Sequence, residues 1–108
     1  MKQLKAEILW EIDYYDGPAS GVVEVKGQWC WFVYATDQNN YRKMYVYTLT
    51  KDQLINECYW HKRFKLEVND EVDLSVTKKF YEDYEPFNND YENNKLLGYF
   101  LWPNNQYE

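Results

Sequence analysis

The 108 residues predict an α+β domain, an antiparallel sheet of about five strands packed on one main helix at about residues 51–65. Three observations predict it. Residues 6–15 alternate between two faces, as a half-buried antiparallel strand does. "GVVEVKGQWCWFVYAT" (21–36) reads as two strands folded about Lys26-Gly27. "TKDQLINECYWHKRF" (50–64) opens with a capping box, Thr50 followed three residues later by Gln53.

In the first strand Ala6, Ile8, Trp10, Ile12 and Tyr14 are expected on one face, with Glu7, Leu9, Glu11, Asp13 and Tyr15 on the other. A two-residue loop at Lys26-Gly27 sets Val22 opposite Trp31 and Glu24 opposite Trp29. "TDQNNYR" (36–42) reads as a polar loop and "KMYVYTL" (43–49) as the next strand. On the helix, Leu54, Cys58 and His61 share a face flanked by Ile55 and Tyr59, and Trp60 and Phe64 widen its apolar sector. Beyond it "EVDLSV" (71–76) reads as a short strand and "TKKFYEDY" (77–84) as a short helix stopped before Pro86. "KLLGYFLW" (95–102) is apolar enough for a buried final strand.

The length is that of a single domain spanning 1–108. Five Phe, five Trp and twelve Tyr make rings the main packing material, and that many Tyr leave some for the surface. The net charge of −6 argues against binding a phosphate backbone, hence against nucleic acid as a partner. The charge is also uneven. Residues 1–66 carry eight acids and nine bases, a net of +1; residues 67–108 carry ten acids and three bases, a net of −7. The acidity is densest in "YEDYEPFNNDYE" (81–92), which has five acids and no base.

Cys30 and Cys58 sit apart in apolar runs, the pattern of free thiols in a reducing compartment. The start of the chain has charges at Lys5, Glu7, Glu11 and Asp13 and no uninterrupted apolar run, so neither a signal peptide nor a membrane span is expected. A cytoplasmic location and no membrane partner are expected in consequence. Lys outnumbers Arg ten to two, a bias of AT-rich coding common in phages and some bacteria.

No chemistry-bearing motif is complete. "GPASG" lacks the spacing of a nucleophile elbow, and there is no P-loop or dinucleotide fingerprint, so no cofactor is expected. The spacing of Cys30, Cys58 and His61 matches no zinc pattern, so no metal is expected. No residue is given a catalytic role. In "EIDYYDGPASG" (11–21), Asp16-Gly17-Pro18 is explained by turn chemistry alone. Asp13, Tyr15 and Ser20 are not, and with Asp16 and the lone histidine, His61, they form a candidate pocket. His61 is expected half-buried, hydrogen-bonded to Asp13 or Asp16. Trp29 and Trp31 straddle Cys30 on one strand face, and with Tyr34 they suggest a sugar-stacking surface besides a role in the core.

The segment "LWEIDYYDGPASGVVEVKGQWCWF", the "YWH" of the helix and the final "LLGYFLW" resemble a group of small uncharacterised bacterial proteins with a W…DYYDGP-SG segment and a YWH helix in the same order. The resemblance implies that Trp10, Asp13, Tyr15, Asp16, Ser20 and His61 form one constellation. It implies no activity.

These features favour a module that binds another protein with a basic surface, as immunity-type proteins and phage-encoded inhibitors do. The expected partner surface is Tyr81, Glu82, Asp83, Tyr84, Glu85, Asp90 and Tyr91. The alternative is a small-ligand pocket or weak enzyme centred on Asp13, Asp16, Ser20 and His61.

Overall fold

The computed structural model describes residues 1–14, 17–67 and 91–103. The chain forms two compact units, one of residues 1–49 with 91–108 and one of residues 50–90.

The first unit is an antiparallel sheet of five strands in chain order: β1 (Glu7–Tyr14), β2 (Pro18–Val25), β3 (Gln28–Gln38), β4 (Tyr41–Thr48) and β5 (Leu96–Trp102). Lys26 and Gly27 both adopt positive φ, 50° and 78°, as the tight turn between β2 and β3 demands. The register is set by that turn, with Val22 opposite Trp31 and Glu24 opposite Trp29, as expected. The polar stretch 36–42 is not a loop. Gln38 pairs with Tyr41 and Asn39 takes φ 55°, so Asn39-Asn40 closes a two-residue hairpin and both strands run longer than their hydrophobicity suggests. Asn tolerates the left-handed region because its short polar side chain bonds locally.

β1 departs from simple alternation. Ile8 pairs with Val23 but Trp10 pairs with Val22, so Leu9 is an extra residue, a β-bulge. The bulge turns the next residues of the strand to the other face. Ala6 and Ile8 join the cluster that holds Val23, whereas Trp10 and Ile12 pack with Val22 and Trp31. Four residues expected on one face, Ala6, Ile8, Trp10 and Ile12, are therefore divided between two.

The sheet curls until its ends meet. The Leu4 amide donates to the Tyr99 carbonyl at 2.7 Å and the Tyr99 amide to the Lys2 carbonyl at 3.0 Å, a parallel pairing along the edge of β5. Three residues beyond Leu4 the same chain begins β1, so the N-terminal segment joins the two edges of the sheet. Gly98 makes this approach possible, since a Cβ there would overlap the Lys2 carbonyl oxygen. Leu4, Phe32, Met44, Val46 and Phe100 fill the inner face, with the Phe32 and Phe100 rings edge to face at 5.7 Å. On the outer face Val22 and Trp31 lie under Tyr91, the first residue of a 3₁₀ turn (Tyr91–Asn93). The Asn94 side chain donates to the Thr48 carbonyl at 2.7 Å and the Thr48 amide to the Lys95 carbonyl at 2.9 Å, which fastens the start of β5 to the end of β4.

The described part of the second unit is α1 (Lys51–Glu67). Its capping box forms as expected. The Gln53 amide donates to Thr50 Oγ1 at 3.2 Å, and the Thr50 amide donates to Gln53 Oε1 at 2.9 Å. Its buried stripe differs from the expected one. Glu57 and Trp60 are buried, while Ile55 and Tyr59, on the opposite side of the helix, are 55% and 54% exposed. Apolar residues occupy more than one face of this sequence, so periodicity alone does not pick the buried one. No helix among the described residues is long and apolar enough to cross a membrane. The strand expected at 71–76 and the short helix expected at 77–84 lie outside the described residues.

Candidate functional site

The residues of the candidate pocket fall in three places. Asp13 and Ser20 are brought together as cross-strand partners, beside a second bulge at Ile12. Ser20 is 5% exposed, so its hydroxyl faces the fold more than solvent. Tyr15 and Asp16 lie outside the described residues. His61 is half-buried on α1, in the second unit.

The Gly17-Pro18 end of the motif has its own anchor. Arg42 Nη1 donates to the Pro18 carbonyl at 3.2 Å, and a Cβ on Gly17 would stand 2.9 Å from the Trp102 ring and 3.3 Å from Arg42 Cζ. Only glycine leaves room for both side chains. The Arg42 guanidinium in turn lies 4.8 Å above the Tyr34 ring, and the Tyr34 hydroxyl donates to Asp37 Oδ1 at 2.6 Å. Asp37, Arg42 and Trp102 are successive cross-strand neighbours on β3, β4 and β5. The hydrogen bond to Asp37 pushes the Tyr34 pKa up, since it favours the protonated phenol; burial adds to the rise. Gly17-Pro18 is thus seated on an arginine–aromatic corner built from the far ends of three strands. Sequence reasoning missed this corner because its members are up to 85 residues apart (17 to 102).

Of the expected partner surface, Tyr81, Glu82, Asp83, Tyr84, Glu85 and Asp90 lie outside the described residues. Tyr91 is a correction. It is 5% exposed and meets Trp31 edge to face at 4.7 Å, so its ring belongs to the packing of the outer sheet face and offers no contact area to a partner. The sugar-stacking surface also divides. Trp31 is 3% exposed, Tyr34 packs against the inner-face cluster, and of the three only Trp29, at 38%, presents its ring outward. Alternation forces this, because residues 29 and 31 share a face that residue 34 does not.

The two thiols are free and poorly placed for nucleophilic work. Burial pushes up the pKa of Cys30; burial and then the charge of Glu57 push up that of Cys58. Among the described residues no three of His, Cys, Asp and Glu gather in a way that could hold a metal ion.

One further row lies on the outer face, next to the Lys26-Gly27 turn. Glu7 faces Glu24 across β1 and β2, and Glu24 faces Trp29 across β2 and β3. Trp29 meets Trp10 edge to face at 5.6 Å. The Glu24–Trp29 half of this row is dictated by the hairpin register; the Glu7 half depends on the bulge at Leu9. No known protein family, curated protein or solved structure matches this chain.

Proposed function

We propose that the protein is a small acidic protein-binding module of the cytoplasm, which acts by covering the surface of a basic protein partner as an immunity protein or a phage-encoded inhibitor does. The observation that carries this reading is the separation of charge, with a net of −7 on residues 67–108 against +1 on residues 1–66. A concentrated negative field speeds encounter with a positive surface, and tyrosines such as Tyr81 and Tyr84 beside the acids give contact area at low entropic cost. The exposed Ile55 and Tyr59 on α1 add apolar area of the kind that protein contacts use. A pull-down from native lysate at low and at raised salt tests it. A basic protein retained at low salt should be released as the screening length contracts to about 3 Å near 1 M salt. An empty low-salt pull-down overturns the reading.

The pairing of Asp13 with Ser20 favours a second reading, a small-ligand pocket or weak enzyme centred on Asp13, Asp16, Ser20 and His61. It expects the imidazole resonances of His61 to shift on replacement of Asp13 or Asp16 by Asn. An unmoved His61 spectrum in both variants removes it.

A further inference from the structure

The row of Glu7, Glu24 and Trp29 sets two carboxylates directly opposite each other on neighbouring strands, with a part-exposed indole as the next neighbour. Like charges in directly opposed positions repel and weaken a sheet, so the pair is a local cost to the fold. Neither carboxylate is hydrogen-bonded or ion-paired to another described residue. Trp10 braces one side of Trp29 at 5.6 Å and 83°, fixing the indole in place while 38% of the residue stays in solvent.

Some of the chain's own cations lie over aromatic rings, Lys43 at 4.5 Å from Tyr99 among them. Its only two arginines, Arg42 and Arg63, both lie against aromatic rings: Arg42 at 4.8 Å from Tyr34 with Asp37 as its cross-strand neighbour, and Arg63 at 4.8 Å from Trp60. A planar guanidinium stacks on a ring while its fork meets carboxylate oxygens, which a compact ammonium does less well. Glu7, Glu24 and Trp29 offer a ring with two carboxylates beside it to a cation from outside.

We propose that Glu7, Glu24 and Trp29 form the seat of an arginine side chain from the basic protein partner. This rests on the reading of the protein as a module that binds a basic surface. It adds a defined contact on the sheet to the diffuse acidity of residues 67–108. The guanidinium stacks on Trp29 and shares its N–H donors between the two carboxylates, relieving their repulsion on binding.

The test is a titration of the full chain with the peptide acetyl-Gly-Arg-Gly-Arg-Gly-amide, read by calorimetry and tryptophan fluorescence, with the lysine analogue alongside. The arginine peptide should bind several-fold tighter than the lysine one. E7Q/E24Q and W29L should each weaken it at least fivefold, and W29L should remove most of the fluorescence change. E82Q/D83N, which removes the same charge from the acidic stretch, should weaken it less than twofold. Relief of the repulsion keeps E7Q/E24Q folded, with a thermal midpoint at or above that of the parent. Equal losses in E7Q/E24Q and E82Q/D83N, no effect of W29L, or no binding to the parent chain overturns the proposal. A lysate partner that E7Q/E24Q retains and E82Q/D83N loses overturns this contact alone; no partner for the parent chain at low salt overturns the broader reading.

Discussion

The two faces of the curled sheet are built from different materials. The buried cluster of the inner face uses Leu4, Met44, Val46, Phe32 and Phe100, side chains with no hydrogen-bonding tip, with Tyr34 and Trp102 only partly buried against it, and it is sealed where the N-terminal segment crosses onto β5. The outer face uses Trp10, Trp29, Trp31, Tyr47 and Tyr91, whose rings carry polar ends, and its burial grades from Val22 and Trp31 out to the exposed Trp29. A small interior closed on all sides tolerates no polar tip without a partner, whereas a face that reaches solvent suits amphipathic rings. Stability is thus concentrated inside the curl, and the surface that can recognise something lies outside it.

Substitutions can break that contrast, the largest effect first. Phe32→Ala removes a fully buried ring at the centre of the inner cluster and should cost about 3–5 kcal/mol in urea unfolding. An effect under about 1 kcal/mol would show that the curl is not the stabilising core. Gly98→Ala puts a methyl group against the Lys2 carbonyl and should cost about 1–3 kcal/mol. It should also expose the Leu4 and Tyr99 amides to hydrogen exchange, which a change to the outer face would leave protected. Thr50→Ala removes half of the capping box and should cost about 1 kcal/mol. The loss should appear as faster exchange at the Gln53 amide, with the sheet amides unchanged.

Alkaline titration sharpens the comparison, because each face holds a group with a raised pKa. Burial raises Cys30 inside the curl; burial and then the charge of Glu92 raise Tyr47 outside it. In both, the folded state holds the proton more tightly than the unfolded state. Their contribution is therefore complete below the unfolded values of 9.0 and 10.0 and is lost as pH rises past them. Thermal midpoints should fall above about pH 9. Cys30→Ala should delay the onset of that fall, and a midpoint flat to pH 11 would contradict the assignment. Trp29→Leu should have the smallest effect on stability, within about 1 kcal/mol, since its ring is partly in water already. Its effect belongs to binding.

Much of the fold was legible in the chain. Lys26-Gly27 dictated its own turn and with it the pairing of Val22 with Trp31, Thr50 and Gln53 marked the start of α1, and "KLLGYFLW" announced β5. These signals are short-range, carried by residues within a few positions of one another. Less of the candidate site could be read. Nothing in residues 6–14 marks Leu9 as the bulged position, yet the bulge moves Trp10 to the outer face and brings Glu7 opposite Glu24. Tyr91 sits in a run of acids and asparagines that reads as solvated loop, but Trp31 offers a neighbouring ring that covers it.

The sequence by itself determined the turns, the helix cap, the order of the strands and the charge imbalance, because these arise from backbone conformation and composition, which each segment carries alone. Only the tertiary structure decided which face each side chain took, that residues 2–4 close the sheet against Tyr99, and that Gly17-Pro18 rests on Arg42 and Trp102. Those outcomes depend on contacts across 12 to 97 positions (10 to 22, 2 to 99), where neither periodicity nor propensity reaches and the fit of particular side chains is what chooses.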